Sequence, residues 1–331
     1  MHATGRSAAF WQASLGGATP ERQLSLLSKP MFDEGWPGAP TPLLRPRGAV
    51  HLTGPCGVTM ENEAGLGDYR PLHLDRPALN ALIPGLRPQW TGAWHESSCA
   101  DIDVAAFHAA CLAAIRKGGG VVFNDAGLVS ALRLGTEWKV QTRSSTLVAP
   151  VLVNAAGAWG DQVAQRAGVD ALGLEPRRRT VVQLRVGRHG LRDLPFVTDL
   201  HASFYFKGEG DNSVWVCPLD ETLAEPCDAA PEEIDVAVAI DRFERAVDWP
   251  VEAVERKWAG LRTFAPDRRM KFGFDPQAPG FFWCVGQGGM GIQTAPAASL
   301  LCATLIENES VPEALAGIDP LDFAPNDNRS S

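Results

Sequence analysis

The run Gly286-Gln287-Gly288-Gly289-Met290-Gly291 joins an apolar segment, FFWCVG, to a helix-type segment that begins near Gln293. Glycines at such a junction let a ligand approach the backbone closely. The helix start then offers free N–H groups and the positive end of the peptide dipole, which suits a negative or electron-rich ligand. By pattern alone, the same run also suits a tight strand-to-helix turn with no ligand. A second run, Asn154-Ala155-Ala156-Gly157-Ala158-Trp159, follows the apolar Val151-Leu152-Val153. Its small residues permit close packing of a helix or of a planar ring.

These loops need elements to hold them. Asp101 and Asp103 can cap a helix in which Val104, Phe107, Cys111, Leu112 and Ile115 recur at helical spacing. Gly118-Gly119-Gly120 ends that helix, and Val121-Val122-Phe123 reads as a strand. Three short β segments (128–134, 137–142 and 145–149) lead to the strand before NAAGAWG, and a helix spans about 159–167. Helix, strand, small meander, strand, helix is the order of the second half of a dinucleotide-binding domain. Residues 180–186, 196–206 and 213–219 read as antiparallel strands. A helix with Pro231 as its first residue and Ile234, Val238 and Phe243 among its apolar positions follows. Strands near 254–259, 270–274 and 281–286 and a final helix to Glu307 complete the series, with a frayed polar tail expected from Pro320.

Composition sets the outer limits. The chain has 331 residues, 45% of them hydrophobic, enough for a large core. A net charge of -9 excludes nucleic acid and anionic membrane surfaces as partners, because the only basic cluster is Arg177-Arg178-Arg179. No apolar run approaches the roughly 20 residues that span a bilayer. The seven cysteines show no metal-ligand spacing, and an odd number reads as free thiols in a reducing compartment. A cytoplasmic protein without a metal is expected.

Together the segments HATGRSAAF, PLLRPR, VNAAGAW, SFYFK, KWAGLRTFAPD and QGGMGIQT resemble FAD-dependent oxidoreductases of the D-amino-acid-oxidase type. The D-arginine-dehydrogenase-like and glycine-oxidase-like members are the nearest in pattern. Any one of these motifs is weak, but six in the family's order are specific, and they cover nearly the whole chain. The resemblance implies an α/β fold: an incomplete Rossmann-like FAD domain (1–39, 100–172 and 261–331) interleaved with an antiparallel-sheet α+β substrate domain (40–99 and 173–260). It implies non-covalent FAD beside Thr4, Gly5, Arg6, Ser7, Ala156, Gly157, Trp159, Gly288, Gly289, Met290, Gly291 and Ile292. Arg262 matches the arginine that grips the substrate carboxylate, a task suited to its planar fork of donors. Tyr205 matches a tyrosine that assists there, and Arg179 a second active-site arginine. The implied reaction moves a hydride from the substrate α-carbon to the flavin, leaving an imino acid that water converts to a keto acid and ammonia. The electron acceptor is left open.

Departures from the pattern sharpen the substrate. Ala49 stands where arginine-type members carry an acid for the substrate's cationic end. Phe10 replaces their active-site histidine, and Leu15 their lid tyrosine. A cationic side chain would be poorly held there, so a neutral or apolar D-amino acid is the expected substrate. Gly260 stands where the sarcosine-oxidase branch attaches its flavin through cysteine. The family's first strand, GxGxxG loop and helix have no counterpart here, since Met1-His2 matches a point roughly 40 residues into the pattern. Weak FAD binding by these 331 residues is therefore expected. Oxidation of a 2-hydroxy acid or N-methyl amino acid, or a non-catalytic remnant, stay open as alternatives.

Overall fold

The computed structural model describes residues 2–39, 41–54 and 66–325. In chain order it contains β1 (Phe10–Trp11), α1 (Pro20–Asp33), β2 (Leu44–Pro46), β3 (Ala49–Thr53), β4 (Leu72–Asp75), α2 (Arg76–Leu82), β5 (Gly92–Glu96), β6 (Ala100–Ile102) and α3 (Val104–Lys117). The meander β7 (Leu128–Leu134), β8 (Glu137–Thr142) and β9 (Thr146–Ala149) leads into β10 (Leu152–Asn154) and α4 (Gly160–Arg166). Then come β11 (Glu175–Val186), β12 (Phe196–Asp199), β13 (Tyr205–Gly208), β14 (Ser213–Cys217), β15 (Thr222–Leu223), α5 (Glu233–Ala246) and β16 (Val251–Phe264). Last are β17 (Lys271–Phe274), β18 (Phe281–Val285) and α6 (Gly291–Glu307).

One nine-stranded sheet dominates, in the order β15-β11-β14-β13-β12-β3-β5-β4, with β16 also paired to β11. Side chains alternate across it. One face, carrying Val182, Val216, Phe206, Val197 and Val50, is covered by Val236, Ala239 and Phe243 of α5 in a single core. The opposite face carries Val181, Cys217, Tyr205, Phe196 and Ala49 in a separate cluster. A smaller sheet, β10-β18-β17, pairs β10 with β18 in parallel. Its core joins Phe272 and Phe282 to Leu301 and Cys302 of α6.

The structure revises several expectations. The segment 196–206 is two strands: Asp199 turns the chain by accepting hydrogen bonds from Ser203 N–H (2.7 Å) and Ser203 Oγ–H (2.6 Å). Ala202 takes a positive φ of 50° in that turn. Val121–Phe123 is not a strand; Val121 and Phe123 are 70% and 50% exposed. A strand needs a partner to satisfy its backbone, and no described strand pairs with this segment. The helix expected from Pro231 begins at Glu233, and Ile234 faces outward. α6 begins two residues ahead of the sequence-based start, at Gly291. Over its described residues the tail from Pro320 is packed rather than frayed: Phe323 is fully buried and stacks on Phe272 at 5.6 Å. Asp103 caps α3 as expected, accepting from Ala106 N–H. Six cysteines are free; Cys56 lies outside the described residues. No described helix is long and apolar enough to cross a membrane.

Candidate active site

The site is organised by β16, the sheet's longest strand. Antiparallel register pairs Gly260 with Arg179, Trp258 with Val181 and Arg262 with Arg177. Paired residues share a face, so Trp258, Gly260 and Arg262 stand on the face that carries Tyr205 and Ala49.

Three loops settle on this strand. The HATGRS turn (3–6) lies on it: Trp258 Nε1 donates to Arg6 O (3.0 Å), and Arg6 Nη1 donates to Ala259 O (3.0 Å) and Ala229 O (2.9 Å). Arg6 also pairs with Asp228. Gly260 faces Arg6: a Cβ there would sit 3.5 Å from Arg6 Cβ, in ordinary contact. The NAAGAW turn also packs against β16. Asn154 ties that turn together, its Nδ2 donating to Gly160 O (2.8 Å) and its Oδ1 accepting from Ala156 N–H (3.3 Å). Trp159 meets His2 at 4.7 Å between rings. The glycine loop reaches the strand's end, where Gly288 N–H donates to Thr263 O (2.9 Å). Thr4, Gly5, Arg6, Ser7, Ala156, Gly157 and Trp159 are thus gathered along the same strand as Gly288 and Gly289.

Arg262 lies under that loop. A Cβ on Gly289, which has φ of 94°, would stand 2.6 Å from Arg262 Nε. Burial first, then the positive charge of Arg179, lowers the Arg262 pKa; Cys217, Tyr205 and Glu221 act in the other direction. Among the described residues no carboxylate stands within ion-pair distance of Arg262. Arg262 is half-buried, and a partly enclosed cation with a second cation beside it and no carboxylate paired to it suits an anion. Arg179 is 7% exposed, although it belongs to a charge run, and donates through Nη2 to Glu221 Oε1 (2.9 Å) while its Nε has no partner. Arg178 points to the other face and pairs with Glu232 and Asp235.

Tyr205 is buried beside both arginines. Burial above all, with Cys217 second, holds its hydroxyl well above the usual phenol range, so it remains a neutral donor. The neighbouring surface is aromatic. Phe10 meets Phe196 at 4.2 Å and Tyr205 at 6.0 Å between rings, and Phe196 meets Tyr205 at 4.9 Å. Ala49, cross-strand from Phe196, continues that floor. Two of the three departures noted in the sequence, Phe10 and Ala49, therefore meet in one cluster, whereas Leu15 lies outside it and is 37% exposed.

α6 begins without a side-chain cap, leaving the first-turn N–H groups unsatisfied. Gln293, in that turn, is buried; its Oε1 accepts from Gln12 N–H (3.2 Å), and its Nε2 has no partner. An uncapped helix start, an orphaned donor and a glycine cradle fit the electron-rich end of a flavin ring. One neighbourhood was not foreseen from sequence: Gln12, Ser14, His51 and Glu96 form a buried polar cluster beside the floor, on the same sheet face. The only hint was a glutamate ending the otherwise half-apolar run GAWHE.

The fold and this site define a class: a mixed α/β protein in which a glycine-lined helix start faces an arginine-and-tyrosine pocket on an antiparallel sheet. The chain belongs to the family described as DAO: FAD dependent oxidoreductase, whose model matches residues 1–305. It is similar to FAD-dependent oxidoreductase domain-containing protein 1 of Xenopus laevis, 27% identical over 184 residues that cover 49% of this chain and 36% of that protein. The match thus spans about a third of that relative's length. Its fold matches L-proline dehydrogenase from P. horikoshii (TM-score 0.77, 16% identity, covering 97% of this chain and 88% of that one). It equally matches glycine oxidase from Geobacillus kaustophilus (TM-score 0.77, 19% identity, 98% and 89% covered).

Proposed function

We propose that this protein oxidises the C–N bond of a small neutral or apolar amino acid, of D configuration in the branch its motifs resemble. The observation that carries the reading is the half-buried Arg262, without an acid of its own, beside Tyr205 and the aromatic floor. Arg262 and the neutral Tyr205 hydroxyl bind the substrate carboxylate and fix the α-carbon under the glycine loop. Phe10, Phe196 and Ala49 accept an apolar side chain and exclude water from it. FAD, held without a covalent bond because Gly260 offers no nucleophile, supplies the hydride acceptor. Its ring would rest between the HATGRS turn and the loop 288–291, with the N–H groups of Gly291 and Ile292 facing the negative charge that reduction brings.

Loss of visible flavin colour under anaerobic mixing with single substrates tests the reading. Neutral and apolar D-amino acids should bleach FAD-loaded protein faster than D-arginine or D-lysine. A preference for the cationic pair, for sarcosine or for 2-hydroxy acids would overturn it.

A further inference from the structure

Glu96 is 0% exposed and accepts hydrogen bonds on both oxygens from one short segment. Ala13 N–H donates to Oε1 (2.6 Å), and Ser14 Oγ–H donates to Oε2 (2.6 Å). Ser14 N–H lies 3.4 Å from Oε1, and Gln12 Nε2 lies 3.4 Å from Oε2. His51 Nε2 stands 3.6 Å from Oε2 and 3.0 Å from Gln12 Nε2. A buried carboxylate is unfavourable unless such partners compensate for its lost hydration. Burial would raise its pKa, yet His51, Ser14 and Ala13 prevail and the net shift is downward.

The segment that Glu96 grips touches both halves of the site. Phe10, two residues before Gln12, supplies the aromatic floor against Phe196 and Tyr205. Gly16, two residues after Ser14, lies against the glycine loop, because a Cβ there would stand 2.9 Å from Met290 Cε. Glu96 itself is the cross-strand partner of Ala49, on the same sheet face. Backbone amides that end on a charged acceptor are held more firmly than amides that end on water or on neutral groups.

We infer that Glu96 is a positioning residue: it latches Gln12–Ser14 to the substrate sheet and so sets where Phe10 meets the substrate. The latch rests on the pocket reading above, but its geometry is testable without substrate. Glu96→Ala should speed amide hydrogen exchange at Ala13 and Ser14 at least tenfold. In FAD-loaded protein it should raise KM for the preferred neutral amino acid about tenfold while kcat falls less. Glu96→Gln retains one acceptor and should fall between wild type and alanine in both readouts. Ser14→Ala removes one latch bond at less risk to folding, and should shift both in the same direction by a smaller factor.

Unchanged exchange at 13 and 14 in Ser14→Ala and in Glu96→Ala or Glu96→Gln overturns the latch. Faster exchange with KM unchanged confines Glu96 to a structural role and overturns the positioning claim. If wild-type protein is reduced by no amino acid, the functional reading fails instead, and the exchange measurement still decides the latch.

Discussion

Arg262 fills the space a side chain at Gly289 would need: a Cβ on the glycine would lie 2.6 Å from Nε and 2.7 Å from Cζ of the guanidinium. The glycine loop is therefore shaped as much by the arginine beneath it as by any ring above it. With φ of 94°, Gly289 also adopts a backbone conformation that side chains rarely take. Gly289→Val should push Arg262 out of place or lift the loop. Overpacking of this kind costs about 1–3 kcal/mol. Both FAD retention after gel filtration and catalytic efficiency should fall, the latter on the order of tenfold or more. Wild-type values for both would show that the loop tolerates the clash.

Arg262→Ala should lose about 3 kcal/mol of transition-state binding, the scale for removing a buried charge partner, which is roughly a hundredfold in kcat/KM. Arg262→Lys should recover only part, since one ammonium cannot reproduce the fork. Because Arg262 lies beside the positive Arg179, its removal also relieves a repulsion. The alanine variant should therefore unfold at a urea concentration equal to or above that of wild type. A large loss of stability together with unchanged kcat/KM would assign Arg262 to structure alone.

Much of this was legible from residue order. The β-branched and aromatic run SVWVC and the Asp103 cap placed a strand and a helix, and the glycine run placed the turn before α6. What sequence could not supply was register. Arg177, Arg178 and Arg179 read as one charge run, yet β pairing sends Arg178 to the acids of α5 and Arg179 into the site. Likewise nothing in the run GAWHE marks Glu96 as a buried group. Only its placement opposite Ala49, with the 12–14 segment folded over it, makes it buried. Val121–Phe123 failed for the converse reason: its composition favours a strand, but pairing depends on a neighbour that local pattern does not reveal.

Acid stability should report Glu96. A glutamate in the unfolded chain titrates near the ordinary value of 4.5, while Glu96 in the folded protein lies lower. The folded state thus takes up this proton less readily than the unfolded state. Its contribution is fully present above the ordinary value and is lost as pH falls through the folded pKa. Asp101, lowered despite burial by Arg47 and Lys207, acts with the same sign. Urea midpoints of wild type and Glu96→Gln should differ most at neutral pH and converge as the pH is lowered past 4.5. A gap that stays constant down to the acid limit would mean the carboxylate is not held ionised.

β10 pairs only with β18, so its other side offers unpaired backbone among the described residues. Val153 on that strand is 44% exposed. Parallel sheets are normally covered on both faces, and open apolar edges invite another strand. In the proposed function the flavin ring meets β16 and the loop 288–291, whereas phosphates are usually held by a glycine-rich strand-to-helix turn at the centre of such a sheet. Adding a βαβ segment with GxGxxG upstream of Met1 should pair a strand with β10 and seat the phosphates. Amide exchange at Leu152–Asn154 should slow, and FAD should bind at least tenfold more tightly than to the 331 residues alone. A single charge-assisted phosphate contact is worth about 1.5–3 kcal/mol, enough for that factor. Stoichiometric, tightly held FAD in the 331-residue chain, unchanged by the added segment, would show that β10 needs no further strand for cofactor binding.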